Sequence, residues 1–212
     1  MTGSANIAER LRCCLVTDAG AGSVERLTEI CTQAIEGGVT AVELRVKGWT
    51  DRQALAAALA LRSLCDETGT LFLVNDRVDV ALASRADGVH LGVDDLPVRA
   101  ARELLGDGAV IGYSPEGERD RAQAIEHGAD YLGVGPVYGS STKADAGPAL
   151  GLERFAGIMG ATSVPAIGIG GIDAGNARPV IEAGAVGVAI VSAVFLAGDP
   201  AAAAREIVET LP

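Results

Sequence analysis

Several short apolar runs in this chain end in polar or glycine residues whose types and spacing suit phosphate chemistry. In Glu43-Leu44-Arg45-Val46-Lys47, alternate spacing puts Glu43, Arg45 and Lys47 on one side of an extended segment. Arg brings a bidentate fork and Lys a point charge, so the pair suits a polyphosphate; a solvated charged loop would read the same way. Asn75-Asp76-Arg77 ends the next run, and His90-Leu91-Gly92-Val93-Asp94-Asp95 the one after. Either aspartate alone is explained by capping the following helix. As a pair after neighbouring strands, Asp76 and Asp95 suit Mg²⁺, which takes one or two carboxylates together with water and substrate phosphate oxygens. His90 reads as a structural residue of its strand, and His127 as a cation at a helix C-terminus.

Ser114 ends Ile111-Gly112-Tyr113-Ser114, where it can donate to a ligand or cap the next turn of chain. The segment Gly133-Val134-Gly135-Pro136-Val137-Tyr138-Gly139-Ser140-Ser141-Thr142-Lys143 collects three consecutive hydroxyls and a lysine in a glycine-bounded loop. That composition suits a lid donating to phosphate oxygens, although surface loops share it. Gly168-Ile169-Gly170-Gly171-Ile172 and Ile190-Val191-Ser192-Ala193 supply glycine backbone N–H groups and a small polar residue, the makings of a phosphate site.

These clusters need elements that bring them to one place. Eight β-branched runs predict strands at Cys13–Thr17, Ala41–Arg45, Leu71–Asn75, Gly88–Leu91, Val110–Tyr113, Tyr131–Val134, Ala166–Ile169 and Gly187–Val191. Helical stretches come after them at Val24–Glu36, Arg52–Thr68, Val78–Ala83, Pro97–Leu105, Glu118–His127, Leu152–Met159, Ala177–Ala183 and Ala201–Glu209. Ser23, Asp51 and Asp199-Pro200 stand where helices start. The cadences Glu36-Gly37-Gly38, His127-Gly128-Ala129 and Glu182-Ala183-Gly184 recur at helix ends, where glycine suits a left-handed turn. Eight βα units without a linker predict an α/β fold, a single (β/α)₈ TIM barrel over 1–212, with about 1–11 as an N-terminal extension. A doubly wound sheet is the alternative, but Val16-Thr17-Asp18-Ala19-Gly20 carries no dinucleotide fingerprint. A barrel places functional residues just after its strands, where the polar clusters fall.

Composition agrees. The 212 residues include 28 glycines, 49% hydrophobic residues and only 3% aromatics, which suits buried parallel strands joined by tight loops. A net charge of −11 speaks against nucleic acid or an anionic membrane as partner, so a phosphate must be held by local cations, backbone N–H groups or a metal. Cys13, Cys14, Cys31 and Cys65 form no Cys-x-x-Cys pair and read as reduced, buried residues. The first residues lack the apolar stretch of a signal peptide, and no apolar run reaches membrane-spanning length; a cytoplasmic location is expected.

Taken together, Glu43-Leu44-Arg45-Val46-Lys47, Val74-Asn75-Asp76-Arg77, Ala86-Asp87-Gly88-Val89-His90-Leu91-Gly92, Asp130-Tyr131-Leu132-Gly133-Val134-Gly135-Pro136-Val137, Ser141-Thr142-Lys143 and Ile169-Gly170-Gly171-Ile172 agree in order and spacing with one family. From about Leu15 to Glu206 the chain resembles thiamine-phosphate synthases. The resemblance implies a (β/α)₈ barrel and a transferase that joins 4-amino-2-methyl-5-hydroxymethylpyrimidine diphosphate to 4-methyl-5-(2-phosphoethyl)thiazole, which some organisms carry as its carboxylated form. The products are thiamine phosphate and pyrophosphate, and Mg²⁺ assists. By position, Asp76 and Asp95 would hold the metal. Glu43, Arg45, Lys47, Asn75, Ser114 and Lys143 would meet the pyrimidine diphosphate; Ser140, Thr142, Gly171, Val191 and Ser192 would meet the thiazole phosphate. Lys143, Ser114 and Arg45 would be the catalytic residues, with Lys143 neutralising the leaving group. Three positions depart from the family pattern: Glu43 and Val93 stand where Gln is usual, and Ser140 replaces a usual Thr. A thiazole tautomerase-like barrel, or a non-catalytic barrel that binds thiazole phosphate or thiamine phosphate, are the alternative readings. A homo-oligomer is compatible with the sequence.

Overall fold

The computed structural model describes residues 4–139 and 147–212. Eight parallel strands, β1 (Cys13–Val16), β2 (Ala41–Leu44), β3 (Leu71–Asn75), β4 (Gly88–Leu91), β5 (Val110–Tyr113), β6 (Tyr131–Val134), β7 (Ala166–Ile169) and β8 (Gly187–Ile190), close in sequence order, with β8 paired to β1. The helices are α1 (Ser4–Arg10), α2 (Val24–Glu36), α3 (Asp51–Thr68), α4 (Val78–Ser84), α5 (Val98–Leu105), α6 (Glu118–Glu126), α7 (Leu152–Met159), α8 (Ala177–Glu182), α9 (Ser192–Phe195) and α10 (Pro200–Thr210). The predicted (β/α)₈ barrel is what forms.

Alternation along each strand divides the core in two. Cys14, Val16, Ala41, Leu71, Leu73, Tyr131, Ile167 and Ala189 fill the barrel interior. Their neighbours in sequence, among them Leu15, Val42, Phe72, Leu132 and Val188, pack outward against the helices. Strands buried on both faces explain the near-continuous aliphatic runs.

The strand bounds differ from the sequence expectation where the chain leaves the sheet to build the mouth. Thr17, Arg45 and Val191 lie just beyond the ends of β1, β2 and β8. The Thr17 hydroxyl takes over from the ladder: it accepts from Arg45 N at 2.9 Å and donates to Arg45 O at 3.1 Å. Helix starts also shift. Ser23 and Asp199 cap as expected, with Pro200 in the first turn of α10. At α3 the cap is Thr50, not Asp51, because Thr50 and Gln53 complete a reciprocal capping box. The junction glycines Gly38, Gly128 and Gly184 hold φ of 101°, 95° and 107°, the left-handed geometry their cadence implied. α1, inside the stretch read as an extension, and the four-residue α9 are additions that no periodicity marked.

Candidate active site

A cavity of about 320 Å³ opens at the C-terminal ends of the strands. Glu43, Arg45, Lys47, Asn75, Asp76, Asp95, Ser114, Gly171, Val191 and Ser192 all line it, so one mouth collects these residues from the ends of β2, β3, β4, β5, β7 and β8. Ser140, Thr142 and Lys143 lie outside the described residues.

Its cationic side starts from Arg45, whose backbone is pinned by buried Thr17 and whose guanidinium lies 3.8 Å from Asp18. Lys47 reaches Asp76 at 3.2 Å. Lower down, Glu43 is only 4% exposed. Burial pushes its carboxyl up to about 7, although a hydrogen bond from Asn75 and the charge of Arg45 pull the other way.

Neither aspartate of the proposed metal pair caps a helix. The residues preceding α4 and α5 are Arg77 and Pro97, and neither offers a side-chain cap. Asp76 instead stands at the mouth with φ of 62°, its N–H donating to His90 O at 2.8 Å. Asp95 Oδ2 accepts from Gly92 N at 2.7 Å, which turns its carboxyl back toward the mouth. The two carboxyl groups are near enough for the charge of Asp95 to act on Asp76. Burial and then the charge of Asp95 raise Asp76 above the usual carboxylate range, against the pull of Lys47. Two convergent hard-oxygen donors that repel each other are an arrangement a divalent cation relieves. Among the described residues no cluster of three or more His, Cys, Asp or Glu side chains is placed to hold a metal. A pair of carboxylates is the donor set that Mg²⁺ takes beside waters and substrate oxygens.

On the opposite rim the loops after β6 and β7 are sewn together. Val137 N donates to Ile169 O at 2.9 Å and Tyr138 N to Gly170 O at 3.1 Å. A Cβ on Gly171 would sit 2.8 Å from Gly139 O, and one on Gly170 would run into Pro136, so only glycine permits this approach. Asn176 Nδ2 holds Gly171 O at 2.8 Å. With Val191 and Ser192 at the start of α9, this rim is lined by small residues and backbone, a surface suited to a phosphate.

Comparison with known proteins decides the family. Residues 13–194 match the family model for thiamine monophosphate synthase. A thiamine-phosphate synthase from Laribacter hongkongensis is 50% identical over 163 residues, covering 77% of each chain. The chain belongs to the thiamine monophosphate synthase family. A second relative in it, a thiamine-phosphate synthase from Haloarcula marismortui, is 48% identical over 174 residues, 81% of this chain and 82% of its own. Among solved structures, a thiamine phosphate pyrophosphorylase from Pyrococcus furiosus superposes with a TM-score of 0.87 at 36% identity, covering 97% of both chains.

Within this family framework, sequence reasoning missed two contributors to the mouth. Glu116 lines it from the turn after Ser114. His90, read as purely structural, also lines it, and its Nε2 lies 2.8 Å from Ser114 Oγ. Nothing local marks either residue; His90 shows itself only through hydrogen bonds across three strands. Val93, in place of the usual Gln, is 40% exposed at the rim, where a polar side chain has water as an alternative partner.

Proposed function

We propose that this chain is a thiamine-phosphate synthase: it joins 4-amino-2-methyl-5-hydroxymethylpyrimidine diphosphate to 4-methyl-5-(2-phosphoethyl)thiazole, giving thiamine phosphate and pyrophosphate. The observation that carries this reading is the convergence, at one barrel mouth, of a carboxylate pair and two cations facing a glycine-built rim. One side suits a diphosphate with its metal and the other a phosphate monoester. Family membership narrows those anions to the two substrates.

Asp76 and Asp95 are the residues that would hold Mg²⁺, which when bound supplies positive charge to the diphosphate. Arg45 and Lys47, with Lys143, neutralise the leaving pyrophosphate. In the reaction the bond between the pyrimidine methylene and the diphosphate oxygen breaks, and its electrons leave on pyrophosphate. The thiazole nitrogen lone pair then forms the new C–N bond. No general base is required, so the chain's work is to hold charge, align the two rings and exclude water. Gly171, Val191 and Ser192, with Ser140 and Thr142, anchor the thiazole phosphate and point its ring at the methylene carbon.

Glu43 fits this scheme despite replacing Gln. A carboxyl that titrates near 7 retains an O–H donor beside a C=O acceptor in much of the neutral range, the pair an amide offers to an aminopyrimidine edge. A tautomerase has no need of the Asp76–Asp95–Lys47 group, which favours the synthase. All four cysteines are free and buried, which suits a cytoplasmic enzyme. No helix among the described residues is long and apolar enough to cross a membrane. The test is an omission series: purified chain with both substrates and Mg²⁺ forms thiamine phosphate, and leaving out either substrate abolishes it. Conversion of the thiazole phosphate without the pyrimidine would support the tautomerase instead.

A further inference from the structure

We propose that His90 is a positioning residue: it receives a proton-donating hydrogen bond from Tyr131 and directs the Ser114 hydroxyl, as a donor, into the barrel mouth. The inference deepens the synthase reading, on which the nature of Ser114's ligand rests.

Register sets up the chain. His90 on β4 is level with Gly112 on β5, and Gly112 is level with Tyr131 on β6. The middle residue has no side chain, so the imidazole reaches across it. Nδ1 meets the Tyr131 hydroxyl at 2.8 Å, and Nε2 meets Ser114 Oγ at 2.8 Å. The slot is built for the ring. A Cβ on Gly112 would collide with both the Tyr131 ring and His90 Nδ1. A Cβ on Gly133 would lie 2.9 Å from His90 Cε1 and 3.1 Å from Ser114 Oγ. Two glycines on neighbouring strands thus clear space for one histidine.

The direction of the chain comes from the phenol. Tyr131 is fully buried, and among the described residues its hydroxyl has no hydrogen-bond partner other than His90 Nδ1. If the phenol accepted there, its own O–H would be left unsatisfied in the core, which is costly for a buried donor. It therefore donates, and Nδ1 is an acceptor. A ring with Nδ1 accepting is neutral and carries its proton on Nε2. That N–H donates to Ser114 Oγ, which leaves the serine hydrogen free to turn toward the cavity that Ser114 lines. The reverse tautomer would draw the serine hydrogen toward the ring and present lone pairs to an anion. Only the first arrangement helps hold a phosphate oxygen.

The test reads the tautomer first. The chain has two histidines, so ¹⁵N-histidine labelling with a His127→Asn variant assigns both rings by two-bond ¹H–¹⁵N correlation. The ligand-free protein near neutral pH should show His90 as the neutral Nε2–H form, and Tyr131→Phe should shift protonation toward Nδ1. In turnover, Tyr131→Phe should raise KM for the pyrimidine diphosphate about fivefold, the equivalent of one hydrogen bond, and leave KM for the thiazole phosphate unchanged. In a Ser114→Ala background the same substitution should have no further effect. An Nδ1–H or imidazolium His90 in the native chain would overturn the proposal, as would equal effects of Tyr131→Phe with and without Ser114. Because the tautomer is read without substrate, it decides the matter even if no thiamine phosphate forms.

Discussion

Glu43 carries a cost that the neighbouring polar groups do not cancel. Burial raises its carboxyl from an ordinary value of 4.5 to about 7, so between those pH values the native chain keeps a proton that the unfolded chain has released. Stability conferred by that proton is complete below about pH 4.5 and is lost as pH rises through 7. Glu43→Gln removes the titration. Its stability relative to the natural chain should grow across this window and level off on the order of 3 kcal/mol higher, as read from denaturant midpoints at several pH values. Parallel curves for the two proteins would show that Glu43 is not held in this state. Asp76 poses a different demand at the same scale. Its φ of 62° is a conformation that Asp and Asn tolerate and Ala does not, so Asp76→Asn is the substitution that removes charge without adding backbone strain. Both residues were legible from their type and position behind a strand. What was not legible was their surroundings, because the burial of Glu43 and the approach of Asp95 to Asp76 depend on three separate strand ends meeting.

At the level of elements, the repeated junctions do more than end helices. Asp87 and Asp130 both stand just before a strand and accept the backbone N–H of a neighbouring strand: Phe72 N at 2.8 Å and Ile111 N at 2.7 Å. Asp130 Oδ2 also receives Arg102 Nη2 at 2.7 Å, while the same guanidinium closes the loop through the carbonyls of Gly106, Ala109 and Gly128. Asp130→Ala should therefore destabilise the fold by about 1–3 kcal/mol in urea titration, with turnover per folded molecule unchanged. Asp130→Asn, which keeps an acceptor for Ile111 N, should lose less. Strand and helix order was readable because aliphatic runs alternate with capped helical stretches along nearly the whole chain. The errors sit where side chains replace ladder bonds: Thr17 and Arg45 left the sheet, and Thr50 rather than Asp51 capped α3. α1 and α9 escaped notice because seven and four residues carry too little periodicity to identify a helix.

The whole molecule depends on joining its ends. Arg12, just before β1, donates to Val208 O at 3.2 Å, Leu211 O at 2.9 Å and Pro212 O at 2.8 Å. Its own carbonyl accepts from Val188 N at the β8 seam. Gly37 lies so close to Ala201 and Ala204 that α10 rests directly on the end of α2. Arg12→Ala should cost about 1–3 kcal/mol and speed amide exchange in α10 before the rest of the barrel, a pattern that hydrogen-exchange mass spectrometry resolves. The closed barrel also explains how a chain with net charge −11 can take phosphate ligands. Repulsion acts over the whole surface, but Arg45 and Lys47 are concentrated in one mouth beside a carboxylate pair suited to a divalent cation. The measurement that tests this account most directly is release of thiamine phosphate and pyrophosphate from the two substrates, followed across Mg²⁺ concentration for the natural chain and for Asp76→Asn. The two products should appear in equal amounts, rise with Mg²⁺ and fall by at least about a hundredfold in the variant, the loss expected when a group that supports transition-state charge is removed. Turnover that persists undiminished in a chelator, or a natural chain that binds both substrates and forms neither product, would contradict it.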